Sequence, residues 1–120
     1  MHELSLMEAV RDQALAAARG QGGGRITAIH LRIGSLAGVE IEALRLAAQV
    51  VLEGCEAQGA TLRITAVPAR AHCGPCDRPF PVRDGVCACP VCGAISRRLL
   101  QGRELDLIAL DLAEPGETGP

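Results

Sequence analysis

Four cysteines stand in two close pairs, Cys73-Gly74-Pro75-Cys76 and Cys89-Pro90-Val91-Cys92, with twelve residues between them. Four thiolates on two tight corners match the tetrahedral demand of Zn²⁺, and the intervening segment is long enough for a hairpin to bring the corners together. Proline at Pro90 stiffens entry to the second turn, and Gly93 lets the backbone fold under the sulfur. Cys73, Cys76, Cys89 and Cys92 are therefore the expected zinc ligands. Cys87, two positions before Cys89, leaves an alternative register in which it replaces Cys89, and His72 is a possible substitute ligand beside Cys73. Cys55 reads as packing, and His30, on the outer face of a strand, as structural or merely exposed. Four protein ligands leave no open position, so such a zinc would be structural rather than catalytic.

The amino end offers a second kind of chemistry. Histidine at position 2 is too large for removal of the initiator methionine, so Met1 is expected to persist with a free α-amine. That amine, the His2 amide nitrogen and the His2 imidazole can form fused chelate rings around one ion, and the Glu3 amide is expected to complete a square plane of four nitrogens. Square-planar nitrogen coordination points to Ni(II) or Cu(II). The donors must shed protons to bind, so affinity should rise with pH.

Two helices and a small sheet must position these groups. Ser5-Leu6-Met7-Glu8 reads as a capping box that opens a helix to about Arg19, with Leu6, Val10, Ala14 and Ala17 as its apolar stripe. Gly20 to Gly24 ends that helix; without lysine or a strand-to-helix setting, the glycines do not make a phosphate cradle. Alternation from Arg25 to Ile33 predicts a strand, and a second helix is expected over about 40–53, with Ile41, Leu44, Ala48 and Val51 inward. Leu62, Ile64 and Ala66 mark a second strand that Pro68 stops. A third is expected over 103–112, where the apolar phase changes near Leu107 in a way that a β-bulge would reconcile.

The fold class expected is α+β: a small three-stranded sheet with two helices, plus an inserted zinc-ribbon-like module. The domain division is 1–68 with 103–113 as one α/β domain, 69–102 as the zinc-binding module, and 114–120 as a flexible tail.

Composition narrows the function classes. The 120-residue chain has a net charge of −2, and all twelve basic residues are arginine, which excludes a Walker-type loop and Schiff-base chemistry. Within 69–102, five arginines against Asp77 and Asp84 leave +3. A Zn(Cys)₄ centre brings that to +1, a weak footprint for nucleic acid. Phe80 is the only aromatic, so no stacking platform exists. Neither a nucleic acid nor a membrane is an expected partner, although a zinc-ribbon regulatory or nucleic-acid-binding protein stays as the alternative reading. Ser5, Ser35 and Ser96 each have a local role and no base beside them, so an enzyme is not expected. With no export signal and no run of roughly 18–20 apolar residues, the expectation is a soluble cytoplasmic protein.

The opening Met1-His2-Glu3-Leu4-Ser5-Leu6 resembles that of the HypA/HybF family, the nickel-insertion accessory proteins of [NiFe]-hydrogenase maturation. The likeness continues through Leu31-Arg32-Ile33-Gly34-Ser35-Leu36-Ala37-Gly38-Val39-Glu40 and Glu42-Ala43-Leu44. Glu53-Gly54, Gly59-Ala60, Val67-Pro68-Ala69, the cysteine pairs and Gly102-Arg103-Glu104-Leu105 follow in the same order. The resemblance implies a metallochaperone for which His2, with the Met1 amine and the amides of His2 and Glu3, binds nickel as cargo. It also implies zinc on Cys73, Cys76, Cys89 and Cys92, a second-shell or docking role for the Glu3 carboxylate, and Glu40 as a weaker nickel contact. The implied partners are a HypB-type GTPase and the hydrogenase large-subunit precursor, and a homodimer is compatible with them. The chain departs from the family at Leu46 and Ala47, where phenylalanines are common, and in carrying Cys87.

Overall fold

The computed structural model describes residues 2–113. The tail expected over 114–120 and the Met1 donor lie outside them. In chain order the elements are α1 (Glu3–Gly20), β1 (Ile26–Gly34), α2 (Ile41–Val51), β2 (Thr61–Val67), β3 (Arg70–Cys73), β4 (Arg78–Pro81), β5 (Leu99–Gln101) and β6 (Leu105–Leu112). The strands form two three-stranded sheets, ordered β2-β1-β6 and β4-β3-β5. The α+β class and its pair of helices are therefore present. The second sheet, built inside the cysteine segment, is an addition, because strands of three or four residues are too short for a periodicity argument.

The described residues divide into two compact units: 2–31, 39–65 and 106–113 in the first, and 32–38 with 66–105 in the second. The first is built on α1 and α2, which pack against each other. Leu6, Met7, Val10, Ala14 and Ala18 line the buried face of α1, and Leu44, Ala47, Ala48 and Val51 that of α2. Ile26, Ala28, Ile29 and Leu31 of β1 complete this core. Ala17, expected inward, is exposed, and Ala18 takes its place, because the stripe runs four residues on from Ala14 rather than three. On α2, Leu46 is exposed and Ala47 buried. Arg45 Nη1 donates to the Leu62 carbonyl at 2.6 Å, which ties α2 to β2.

The start of α1 differs from the capping-box expectation. The helix begins at Glu3, His2 is its N-cap, and no side chain caps it. Ser5 thus sits in the first turn. Burying Leu6 and Met7 requires the preceding turn to be wound already, and the His2 carbonyl accepts the Leu6 N–H at 3.0 Å. Tertiary packing has overridden a local cap signal. At the other end, the Gly23 N–H returns to the Ala18 carbonyl at 2.8 Å, a closure that the positive φ of Gly22 and Gly23 permits.

Along β6 the burial phase does switch, at Ile108 and Ala109, which are both exposed. No helix of the described residues is long and apolar enough to cross a membrane.

In the second unit, Gly34, Ser35 and Leu36 knit to both ends of the cysteine segment. The Ser35 N–H reaches the Val67 carbonyl at 2.9 Å, Ser35 Oγ accepts the Ala69 N–H at 3.0 Å, and the Leu36 N–H reaches the Gly102 carbonyl at 2.7 Å.

Candidate metal centre

The hairpin β3–β4 pairs Cys73 with Arg78 and places Gly74 to Asp77 in its turn. The turn closes when the Asp77 N–H meets the Gly74 carbonyl at 3.2 Å, and Asp77 takes a positive φ of 49°. Asparagine, aspartate and glycine tolerate that region best, so Asp77 does in this corner what Gly93, at φ 77°, does in the second. There the Gly93 N–H bonds the Cys89 carbonyl at 2.8 Å and the Cys89 N–H bonds the Ala94 carbonyl at 2.9 Å. An Ala88–Ile95 bridge closes the base of this second corner.

These two corners bring the sulfurs of Cys73, Cys76, Cys89 and Cys92 within 4.8 Å of one another. Four sulfurs about 2.3 Å from one zinc would stand roughly 3.8 Å apart, so the gathered set has the dimensions for a tetrahedral ion. All six cysteines are free, and Cys87 and Cys55 lie outside the group. Cys73 and Cys89 are buried with Ala71 and Phe80 in a small core, against which Cys76, Val82 and Ala94 pack. The one aromatic side chain of the protein is thus spent on supporting this centre.

The thiols share their protons unequally. Backbone N–H groups of Cys92 and Val91 pull Cys89 down to about 6. The sulfurs of Cys92 and Cys73 push Cys76 up to about 12. At Cys73 the Cys76 N–H acts downward, but burial and the sulfurs of Cys92 and Cys89 outweigh it, and the thiol is raised. One thiolate is therefore ready at neutral pH, whereas others give up protons only to a competing cation.

His72 turns away from the sulfurs: its Nε2 lies 3.1 Å from Asp77 Oδ1. Its carbonyl accepts the Ser96 hydroxyl, while Ser96 Oγ accepts the Arg98 N–H at 3.1 Å. Ser96 is thus a clamp between β3 and the segment leading to β5. The sequence signal for the first corner is an aspartate directly after the second cysteine of its pair, where glycine stands in the other corner. His30 is half-buried, with Nε2 3.2 Å from Asp111 Oδ2.

At the amino end, His2 is exposed and extended, with φ −77° and ψ 125°. Glu3 Oε2 accepts the Glu40 N–H at 3.1 Å, which brings together Glu3 and Glu40. Glu40 is the N-cap of α2, with no side-chain cap bond of its own.

A family model described as hydrogenase/urease nickel incorporation, metallochaperone, hypA matches residues 1–112. The chain belongs to the HypA family. Hydrogenase maturation factor HypA of Roseiflexus sp. strain RS-1 is 39% identical over 112 residues, covering 92% of this chain and 91% of that protein. The Rhodobacter capsulatus factor of the same name is 41% identical over 102 residues, covering 85% and 89%. The solution structure of the Ni metallochaperone HypA from Helicobacter pylori superposes with a TM-score of 0.67, covering 93% of this chain and 97% of that one. At 20% identity that likeness speaks for the fold. HypA proteins are metallochaperones for nickel incorporation, so this member handles a metal and is not an enzyme.

Proposed function

We propose that this HypA protein takes up Ni(II) at Met1, His2 and Glu3 and delivers it to the [NiFe]-hydrogenase large-subunit precursor. Zinc on Cys73, Cys76, Cys89 and Cys92 is structural in this reading. The observation that carries it is the family match over residues 1–112, which takes in both the Met1-His2-Glu3 start and the four gathered sulfurs. His2 supplies imidazole and amide nitrogen, Met1 its amine, and Glu3, whose carboxylate holds the Glu40 N–H, borders the ion. Borderline nitrogen donors favour nickel at the amino end, and soft thiolates favour zinc at the corners. The exposure of His2 suits release, because donors on a chain end can leave one at a time. Closed and partly buried, the cysteine centre suits retention. Glu40 is a further candidate contact, a HypB-type GTPase is the expected helper, and the cytoplasm the expected compartment.

Calorimetric titration of tag-free, zinc-loaded protein with Ni(II) tests the reading, beside His2→Ala and a variant with one residue added before Met1. Near-stoichiometric binding lost in both variants supports the terminal site. Unchanged binding in both would sink it.

A further inference from the structure

The second cysteine corner is a small hairpin with an apolar side turned to solvent. Two bonds fix its register: the Cys89 N–H meets the Ala94 carbonyl at 2.9 Å, and the Ser96 N–H meets the Cys87 carbonyl at 2.8 Å. Ala88 and Ile95 face each other between them. Residues paired in this way point to one side of a hairpin, and their chain neighbours to the other. Cys89 and Ala94 share the side that packs against Ala71, Cys73 and Phe80. Ala88 and Ile95 share the opposite side, and Val86, two residues before Ala88, joins them.

An antiparallel pair with one face on a core normally turns polar residues to water on the other. Here Ile95 is 72% exposed, Val86 56%, and Val91, at the tip, 73%. Val91 and Ile95 are the most exposed large apolar side chains among the described residues. A single exposed valine is ordinary, but three β-branched apolar side chains on one short hairpin mark a surface that meets something.

The rim of this side is basic. Asp84 and Gly85, at φ 54° and 72°, form a tight hairpin turn, and the Val86 N–H meets the Arg83 carbonyl at 2.9 Å. Arg83 thereby stands beside Val86. One step on from the Ala88–Ile95 pair, the same register sets Arg97 opposite Val86, and Arg98 follows. Arg83, Arg97 and Arg98 are exposed, and none of them is in an ion pair among the described residues. With Asp84 as the one acidic residue from 83 to 98, three arginines leave that stretch at +2. The charge of a Zn(Cys)₄ centre would enter from the other side of the hairpin, behind Cys89.

We infer that Val86, Val91 and Ile95, within the rim of Arg83, Arg97 and Arg98, form a docking surface for a protein segment whose apolar side chains are flanked by aspartate or glutamate. Charge selects this occupant. A second copy presenting the same side would bring arginine against arginine. Nucleic acid would find an apolar centre with no aromatic ring to stack on. An acidic segment gains burial at the centre and attraction at the rim, where the arginines steer its approach and fix its orientation. The surface belongs to the cysteine unit and stands independently of the nickel reading.

The probe is a blocked peptide, Glu-Glu-Leu-Val-Leu-Glu-Glu, titrated into the ¹⁵N-labelled, zinc-loaded chain and followed by amide NMR shifts. Saturable shifts centred on residues 83–98 are expected, with a dissociation constant of about 0.1–1 mM that weakens as salt is added. Ile95→Ser is expected to weaken binding about tenfold or more. Val91→Ser gives an independent reading if the first variant loses its zinc. The same peptide with lysine for every glutamate is expected not to bind. Absence of saturable shifts at about 3 mM peptide overturns the proposal, as do shifts that map away from this hairpin. Equal binding of the lysine peptide, or parent-like binding by the serine variants, also overturns it. Shifts of these amides on concentrating the chain alone, or on adding a DNA duplex, with no response to the peptide, replace the proposed occupant by a second copy or by nucleic acid.

Discussion

The Glu3 carboxylate accepts the backbone N–H of Glu40 at 3.1 Å, so the first residue of α1 satisfies the amide of the residue that caps α2. In a capping box that acceptor comes from three residues along the same helix. Here it comes from 37 positions away. The bond ties the metal-binding terminus proposed for nickel to the second helix, and it gives Glu3 a measurable titration.

The Glu40 N–H, followed by Glu3's own amide, holds the Glu3 carboxyl below its ordinary value of 4.5. Folded Glu3 therefore binds its proton less readily than the unfolded chain does. Its contribution to stability is present above the ordinary carboxylate value and is lost as pH falls through the lowered folded one. Glu3→Gln is expected to melt below the parent at neutral pH, with the gap closing in acid. Thermal denaturation across a pH series checks this, and a gap independent of pH would show that charge plays no part.

Gly34 and Gly102 cross without room for a side chain. A Cβ on Gly34 would overlap the Gly102 carbonyl and lie 2.6 Å from the Arg103 nitrogen. One on Gly102 would lie 2.7 Å from the Ala69 Cα, at a φ of 128° that side chains disfavour. Backbone surrounds both positions, so nothing can rotate aside. Gly34→Ala and Gly102→Ala should each cost about 1–3 kcal/mol in denaturant unfolding, by overpacking. A value near zero in either would mean that the crossing is looser than described.

Ser5→Ala discriminates the cap that the sequence suggests from the one the fold uses. A working N-cap serine is worth about 0.5–2 kcal/mol, whereas an exposed first-turn residue changes stability by about 0.5 kcal/mol or less. The helix begins at Glu3, so the smaller figure is expected from chemical denaturation. The larger would place the functional helix start at Ser5.

Zinc uptake should release protons from Cys73 and Cys76, the raised thiols, while Cys89, near 6, is already mostly thiolate at pH 7. Affinity is therefore expected to rise with pH from neutral upward. Calorimetry in buffers of different ionisation enthalpy counts the protons. Cys89→Ser should abolish stoichiometric zinc in metal analysis of the purified protein, and Cys87→Ser should leave it intact. The reverse outcome would move the ligand set to Cys87.

Much of the fold was legible because hydrophobic periodicity reports which face is buried. Leu6, Val10 and Ala14 on α1, Leu44, Ala48 and Val51 on α2, and Ile29, Leu31 and Ile33 on β1 are all buried as that pattern requires. It failed at Ala17, where both alanines of a pair are compatible with the stripe, and only the partner surface selects Ala18. It also failed across β3, β4 and β5, strands of three or four residues whose backbone pairing leaves little trace in side-chain alternation.

The chain by itself determined the candidate donors: four thiols in two close pairs, and His2. Their chemistry and spacing are covalent facts, and the turn residues Pro90 and Gly93 are local ones. The Cys-x-x-Cys spacing with Pro90 and Gly93 favours Cys89 over Cys87 locally. Tertiary structure decided that the two corners meet, gathering Cys89 and not Cys87 with the other three sulfurs. It likewise decided where α1 begins. Burial of Leu6 and Met7 is a long-range gain that a local capping box cannot register, and it winds the helix back to Glu3, leaving His2 at the cap.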